Sequence, residues 1–135
     1  MAKGEFASWA GCAADLVAVA AGRSSADLVV QNSRLVNVQS REVLENWQIA
    51  VVRGRFAYVG PDARHCIGPK TQIIDAGGRY LIPGLCDGHM HIESGMLIPA
   101  EFAAAVIPYG TTTMFTDPHE IANVLGLAGV RMMHD

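Results

Sequence analysis

Cysteine is scarce in this chain of 135 residues: Cys12, Cys66 and Cys86 are all there is. No two of them form a C-x-x-C pair, and three cannot all pair internally. That fits a reducing, cytoplasmic setting better than a secreted disulfide framework. Basic residues are also few and scattered, 10 Lys and Arg against 13 Asp and Glu for a net charge of −3. The electrostatic footprint of a nucleic-acid binder is therefore missing. No apolar run reaches the roughly 20 residues that a membrane-crossing helix needs. Internal repeats and low-complexity tracts are absent. So are P-loop and dinucleotide fingerprints, since Gly77-Gly78 alone means little.

What is present is apolar mass. Half of the residues are hydrophobic, which suffices for a globular domain with a core. From Trp9 to Ala21 two readings compete. Lys3 ahead of the segment and Ala18-Val19-Ala20 near its end resemble a cleaved signal peptide. Asp15 in its middle and Glu5 in the would-be basic region favour an amphipathic helix, with Trp9, Cys12, Ala13, Leu16, Val17 and Ala20 on one face. This N-terminal helical segment, residues 1–25, closes with the turn from Gly22 to Ser25.

Residues 26–80 read as a small β-domain made of hairpins. The runs 27–30, 34–38, 48–52 and 56–59 are β-rich, and Arg53-Gly54-Arg55 is a turn between the last two. A further short strand spans 71–75 and closes at Ala76-Gly77-Gly78. Trp9 and Trp47 read as packing residues.

A different pattern starts at Leu81. Residues 81–91 read as a buried strand with Cys86 inside it, and 98–109 as a helix with Pro99 in its first turn. Its apolar face carries Ile98, Phe102, Ala105, Val106 and Tyr109. Thr111 to Thr116 is a second strand, whose threonines are explained by β-propensity. A second helix is predicted from Pro118 to about Met133, with Ile121, Val124, Leu125 and Ala128 inward. Strand, helix, strand, helix at this spacing implies a parallel sheet. A closed parallel barrel takes roughly 250 residues. The expected fold class is thus α/β: an N-terminal helix and a small β-sandwich-like domain, then in 81–135 the first βα units of a truncated (β/α)8 barrel belonging to a longer enzyme.

The chemistry concentrates at the strand ends. His89 and His91 stand at i and i+2, so on a strand their side chains share a face. Two imidazoles side by side, where a barrel strand should end, suit a divalent metal; the bland alternative is a pair of packed or surface histidines. Asp117, His119 and Glu120 form a second cluster at the end of the next strand. Here Asp117 as helix N-cap, Pro118 at the first position and Glu120 three residues on also make a capping box. Capping leaves His119 unexplained. Glu93 reads either as a solvated loop acid or as a site carboxylate, beside a flexible Ser94-Gly95. His91-Ile92-Glu93 matches the opening of the zinc nucleoside deaminase signature, but no cysteine follows Cys86 to complete it.

The run Tyr80-Leu81-Ile82-Pro83-Gly84-Leu85-Cys86-Asp87-Gly88-His89-Met90-His91 resembles the metal-dependent amidohydrolase superfamily. The H-I-E-S run from His91 and the D-P-H-E-I-A-N-V run from Asp117 are similar to the bacterial adenine deaminase family within it. The resemblance spans about Ala26 to Gly126. It implies His89 and His91 as metal ligands of a binuclear centre holding manganese or iron, with zinc as an alternative. It also implies Glu93, Asp117, His119 and Glu120 on the catalytic rim, handling substrate or protons. The implied reaction is hydrolytic deamination of adenine to hypoxanthine and ammonia, in a homo-oligomer with a small purine as its partner and neither nucleic acid nor membrane. Two alternatives stand beside it: another amidohydrolase, opening a cyclic amide or deacetylating an amino sugar, and an inactive fragment lacking the later ligands.

Overall fold

The computed structural model describes residues 8–134. Lys3 and Glu5, on which the signal-peptide argument turns, lie outside them. The chain forms two compact units, residues 1–83 and 84–135.

In the first unit, α1 (Trp9–Ala20) starts at Ser8, whose Oγ accepts the Gly11 N–H at 3.1 Å. The helix is as expected, but its buried stripe is not. Cys12 and Val19 are inside, whereas Trp9 and Val17 are 67% and 57% exposed. Asp15 pairs with Arg53, which lies in a turn beside Gly54. Trp9 is not a packing residue of the core: the Arg55 guanidinium covers its ring at 4.4 Å. Trp47 is half-buried.

Five strands form one mixed sheet: β1 (Leu28–Asn37), β2 (Glu42–Val52), β3 (Arg55–Gly60), β4 (Gln72–Asp75) and β5 (Tyr80–Leu81). The order is β3-β2-β1-β4, with β5 also on β1. The two hairpins are antiparallel as the pattern suggests; Arg53 and Gly54, both at positive φ (51° and 69°), turn the second. Two corrections follow. The runs 27–30 and 34–38 are one strand carried through a left-handed Asn32 (φ 55°). β4 and β5 join parallel to β1 and not as hairpins. All five strands are joined in one sheet, so among the described residues of this unit the expected sandwich is a single layer. Val19, Ala26, Val29, Ala50, Val52, Ala63 and Cys66 make the core under α1, and burial there pushes the Cys66 thiol up.

The strand predicted over 81–91 is split. Tyr80–Leu81 belongs to the first unit's sheet, and Pro83, which has no N–H for a ladder, separates it from β6 (Leu85–Met90). The second unit then runs β6, α2 (Pro99–Val106), β7 (Thr111–Thr116), α3 (His119–Leu125) and α4 (Leu127–His134), with β6 and β7 parallel. This is the anticipated βαβα order. β6 is not buried, however: Leu85 is 51% exposed and Cys86 lies on the surface. A sheet of two strands gives each side chain too few neighbours to bury it. α2 passes into a single 3-10 turn at Ile107–Tyr109, leaving Ile98 and Tyr109 exposed. The long second helix is broken at Gly126, whose φ 60° and ψ −146° no L-residue adopts readily. The buried positions are consequently Gly129 and Met133, while Val124 and Leu125 face out.

Candidate metal centre

Parallel pairing brings the two strand ends together. Met90 pairs with Thr116, and the Asp117 N–H donates to the Met90 carbonyl at 2.9 Å. Whatever follows each strand therefore shares one rim. His89 sits near the end of β6, His91 one residue past it, and Asp117 and His119 just beyond β7.

The rings converge. The Nε2 atoms of His89 and His91 lie 2.8 Å apart, and the ring of His91 stands 4.6 Å from that of His119. One ligand atom from each of His89, His91 and Asp117 falls within 4.8 Å of the others. The His91 Nδ1 lies 2.7 Å from the Asp117 main-chain oxygen. A carbonyl only accepts, so Nδ1 carries the proton and the neutral ring keeps its lone pair on Nε2, facing His89. Metal-binding histidines are oriented in this way. The Asp87 carboxylate accepts the His89 N–H at 3.1 Å and steadies the same strand end.

The capping box does not form. α3 begins at His119, with Pro118 at the cap position and no side-chain cap. Asp117 therefore stands one residue outside the cap position. Its Oδ2 lies 3.2 Å from His119 Nδ1 instead, and the Glu120 Oε1 accepts from the Ser94 hydroxyl at 2.6 Å. Nor is Glu93 a solvated loop acid. It opens the 3-10 turn Glu93–Gly95, with Oε1 3.5 Å from the Ile121 N–H and Oε2 buried without a partner among the described residues.

All six residues singled out from the sequence thus come from the end of β6 or from the segments that follow β6 and β7. Ser94, which the sequence offers only as part of a flexible loop, joins them through Glu120; its signal is its place directly after the site acid. The donors present, two imidazoles and one carboxylate, are those that zinc, manganese and iron accept. With an orphaned buried carboxylate oxygen nearby, they fit a divalent cation.

Residues 80–135 match the amidohydrolase family model. The chain is 72% identical over 130 residues to an adenine deaminase of Ruegeria pomeroyi, which covers 96% of this chain and 22% of the relative. It is 66% identical over all 135 residues to that of Roseobacter denitrificans, again 22% of the relative's length. The chain therefore spans about a fifth of these curated relatives. Among solved structures, molinate hydrolase superposes on 78% of this chain and 28% of its own, with a TM-score of 0.55 at 20% identity, a likeness of fold alone.

Proposed function

We propose that the chain is the opening part of an amidohydrolase and supplies the first metal-binding portion of an enzyme that hydrolyses adenine to hypoxanthine and ammonia; the match of residues 80–135 to that family's model and the 66–72% identity to the matching fifth of two adenine deaminases support this reading. The observation that carries this reading is the pair of Nε2 atoms 2.8 Å apart, one of them on a ring anchored to main chain.

His89 and His91 would hold a divalent ion, manganese or iron on this reading, with Asp117 in reach as a further ligand. When bound, such an ion activates water for attack on an electrophilic carbon. The remaining work falls to the chain's own groups. The Asp117 carbonyl keeps His91 in the ligating tautomer. Glu93, Asp117, His119 and Glu120 bind and orient the purine, or accept and return protons at its ring nitrogens and amino group. We read residues from Gly84 onward as the opening of a (β/α)8 barrel, the stretch from 26 through β5 as a separate small domain and 1–25 as its leading helical segment. A cytoplasmic homo-oligomer acting on small purines completes the reading. By itself the 135-residue chain is expected to be inactive, because a closed barrel needs more strands than it has.

The test is ammonia release by the full-length protein from a panel of adenine, other aminopurines, a cyclic amide and an acetylated amino sugar, with and without Mn²⁺. Ammonia from adenine supports the proposal. Turnover of the cyclic amide or amino sugar alone would transfer it to a sister amidohydrolase. No turnover of adenine with any metal overturns it.

A further inference from the structure

Two side chains that lie 26 residues apart in sequence meet between the loop after β6 and the start of α3. The Ser94 hydroxyl donates to Glu120 Oε1 at 2.6 Å, the short distance expected when the acceptor carries charge. Beside it, Glu93 Oε1 lies 3.5 Å from the Ile121 N–H, a longer contact that joins the same two segments. α3 receives no side-chain cap from its own sequence, and of these two contacts only that of Glu93 reaches a first-turn N–H, that of Ile121. Glu120 stands in the first turn of α3 next to His119, whose ring faces His91.

We propose that Ser94 is the positioning residue for Glu120. A glutamate on an exposed helix start has several rotamers open to it, and ordering such a side chain carries an entropic cost. The hydroxyl of Ser94 lowers the number of those rotamers before substrate arrives. Bonding Oε1 leaves Oε2 as the acceptor edge, held at the rim that carries His89 and His91. Ser94 itself belongs to the 3-10 turn two residues after His91, so the turn that leaves one ligand also sets the position of the acid opposite. The inference rests on the deaminase reading in one respect: Glu120 must act on substrate.

The experiment uses full-length protein carrying Ser94→Ala, Ser94→Thr, Glu120→Ala and the Ser94→Ala/Glu120→Ala pair. Two readouts are taken: adenine turnover with Mn²⁺, and amide hydrogen exchange across 118–125 without substrate. Ser94→Ala should lower kcat by about tenfold, a fraction of the roughly hundredfold that misplacing a group by about 1 Å can cost, with KM little changed. Ser94→Thr, which keeps the hydroxyl, should restore it. In the Glu120→Ala background Ser94→Ala should have no further effect, because it acts through that carboxylate. Exchange in 118–125 should quicken in Ser94→Ala and return to the parent rate in Ser94→Thr. Unchanged kcat in Ser94→Ala, equal losses in the Ala and Thr variants, or additive losses in the pair would overturn the proposal. Should the parent protein release no ammonia from adenine, the deaminase reading fails. The exchange data then decide the clamp: unaltered exchange in Ser94→Ala refutes it, and faster exchange reversed by threonine sustains it.

Discussion

The ring of His91 is held by main chain: its Nδ1 donates to the carbonyl oxygen of Asp117 at 2.7 Å. That bond does not depend on what side chain residue 117 carries. The Asp117 carboxylate, in contrast, lies within ligand range of both imidazoles and reaches His119 Nδ1 at 3.2 Å. Asp117→Ala should therefore leave the tautomer and orientation of His91 intact while removing an oxygen donor. The expected result is Mn²⁺ affinity weakened by at least about tenfold, with an unchanged far-UV circular dichroism spectrum. Isothermal titration of the full-length protein with Mn²⁺ checks it; unaltered affinity would remove Asp117 from the ligand set.

Replacing an imidazole is a harsher change. His89→Ala or His91→Ala deletes one of two nitrogens that face each other at 2.8 Å, and either variant should lose at least about a hundredfold in Mn²⁺ affinity, the upper end of what outer partners of a ligand cost. Adenine turnover should disappear in both. The same titration series decides the matter, and parent-like binding in either variant would show that the ion sits elsewhere.

The histidine pair was legible from sequence because i, i+2 spacing at a strand end leaves little geometric freedom. The strand and helix order of the second unit was legible for a similar reason: Pro99, Gly110 and the β-branched run 111–113 each act locally. Long-range pairing was not. Nothing in Gln72–Asp75 tells that its partner is β1, or that it runs parallel. The exposure of Cys86 and Leu85 escaped too, because a hydrophobic strand reads as buried whether or not other strands are there to cover it. The capping box at Asp117 failed by one residue: α3 begins at His119 with Pro118 in the cap position, so Asp117 stands outside the helix and its carboxylate lies against His119 instead.

The helix break is where sequence periodicity misled most, and it makes its own prediction. Gly129 packs so close to α3 that a β-carbon there would come 2.7 Å from the Ile121 carbonyl oxygen, a backbone atom with little room to yield. Gly129→Ala should cost roughly 1–3 kcal/mol by overpacking. Gly126→Ala, with open space around it but φ at 60° and ψ at −146°, should cost a similar roughly 1–3 kcal/mol by backbone strain. Urea unfolding of each variant measures both. If Gly126→Ala matched the parent, α3 and α4 would have to be one continuous helix in solution.

Acid sensitivity should come from the first unit. The Asp62 carboxyl is held at about 2, below its usual 3.8, chiefly by side-chain hydrogen bonds from Arg64 and then by the Arg64 N–H. Arg64 Nε lies 2.9 Å from both carboxylate oxygens, and its terminal nitrogen 2.6 Å from Oδ2. The folded value lies below the unfolded one, so this contribution to stability is complete above about pH 3.8 and is lost as pH falls towards 2. Asp75 adds in the same direction, its carboxyl lowered by the Gly77 N–H and by Asn32. The pair at Asp62 is solvent-exposed, so its effect should be small and weakened by salt. The check is the thermal midpoint of the parent and of Asp62→Asn across pH 2 to 7. The parent's advantage should be constant from neutral pH to about 4 and fade below that, whereas an advantage that persists at pH 2 would mean the carboxylate is not the group responsible.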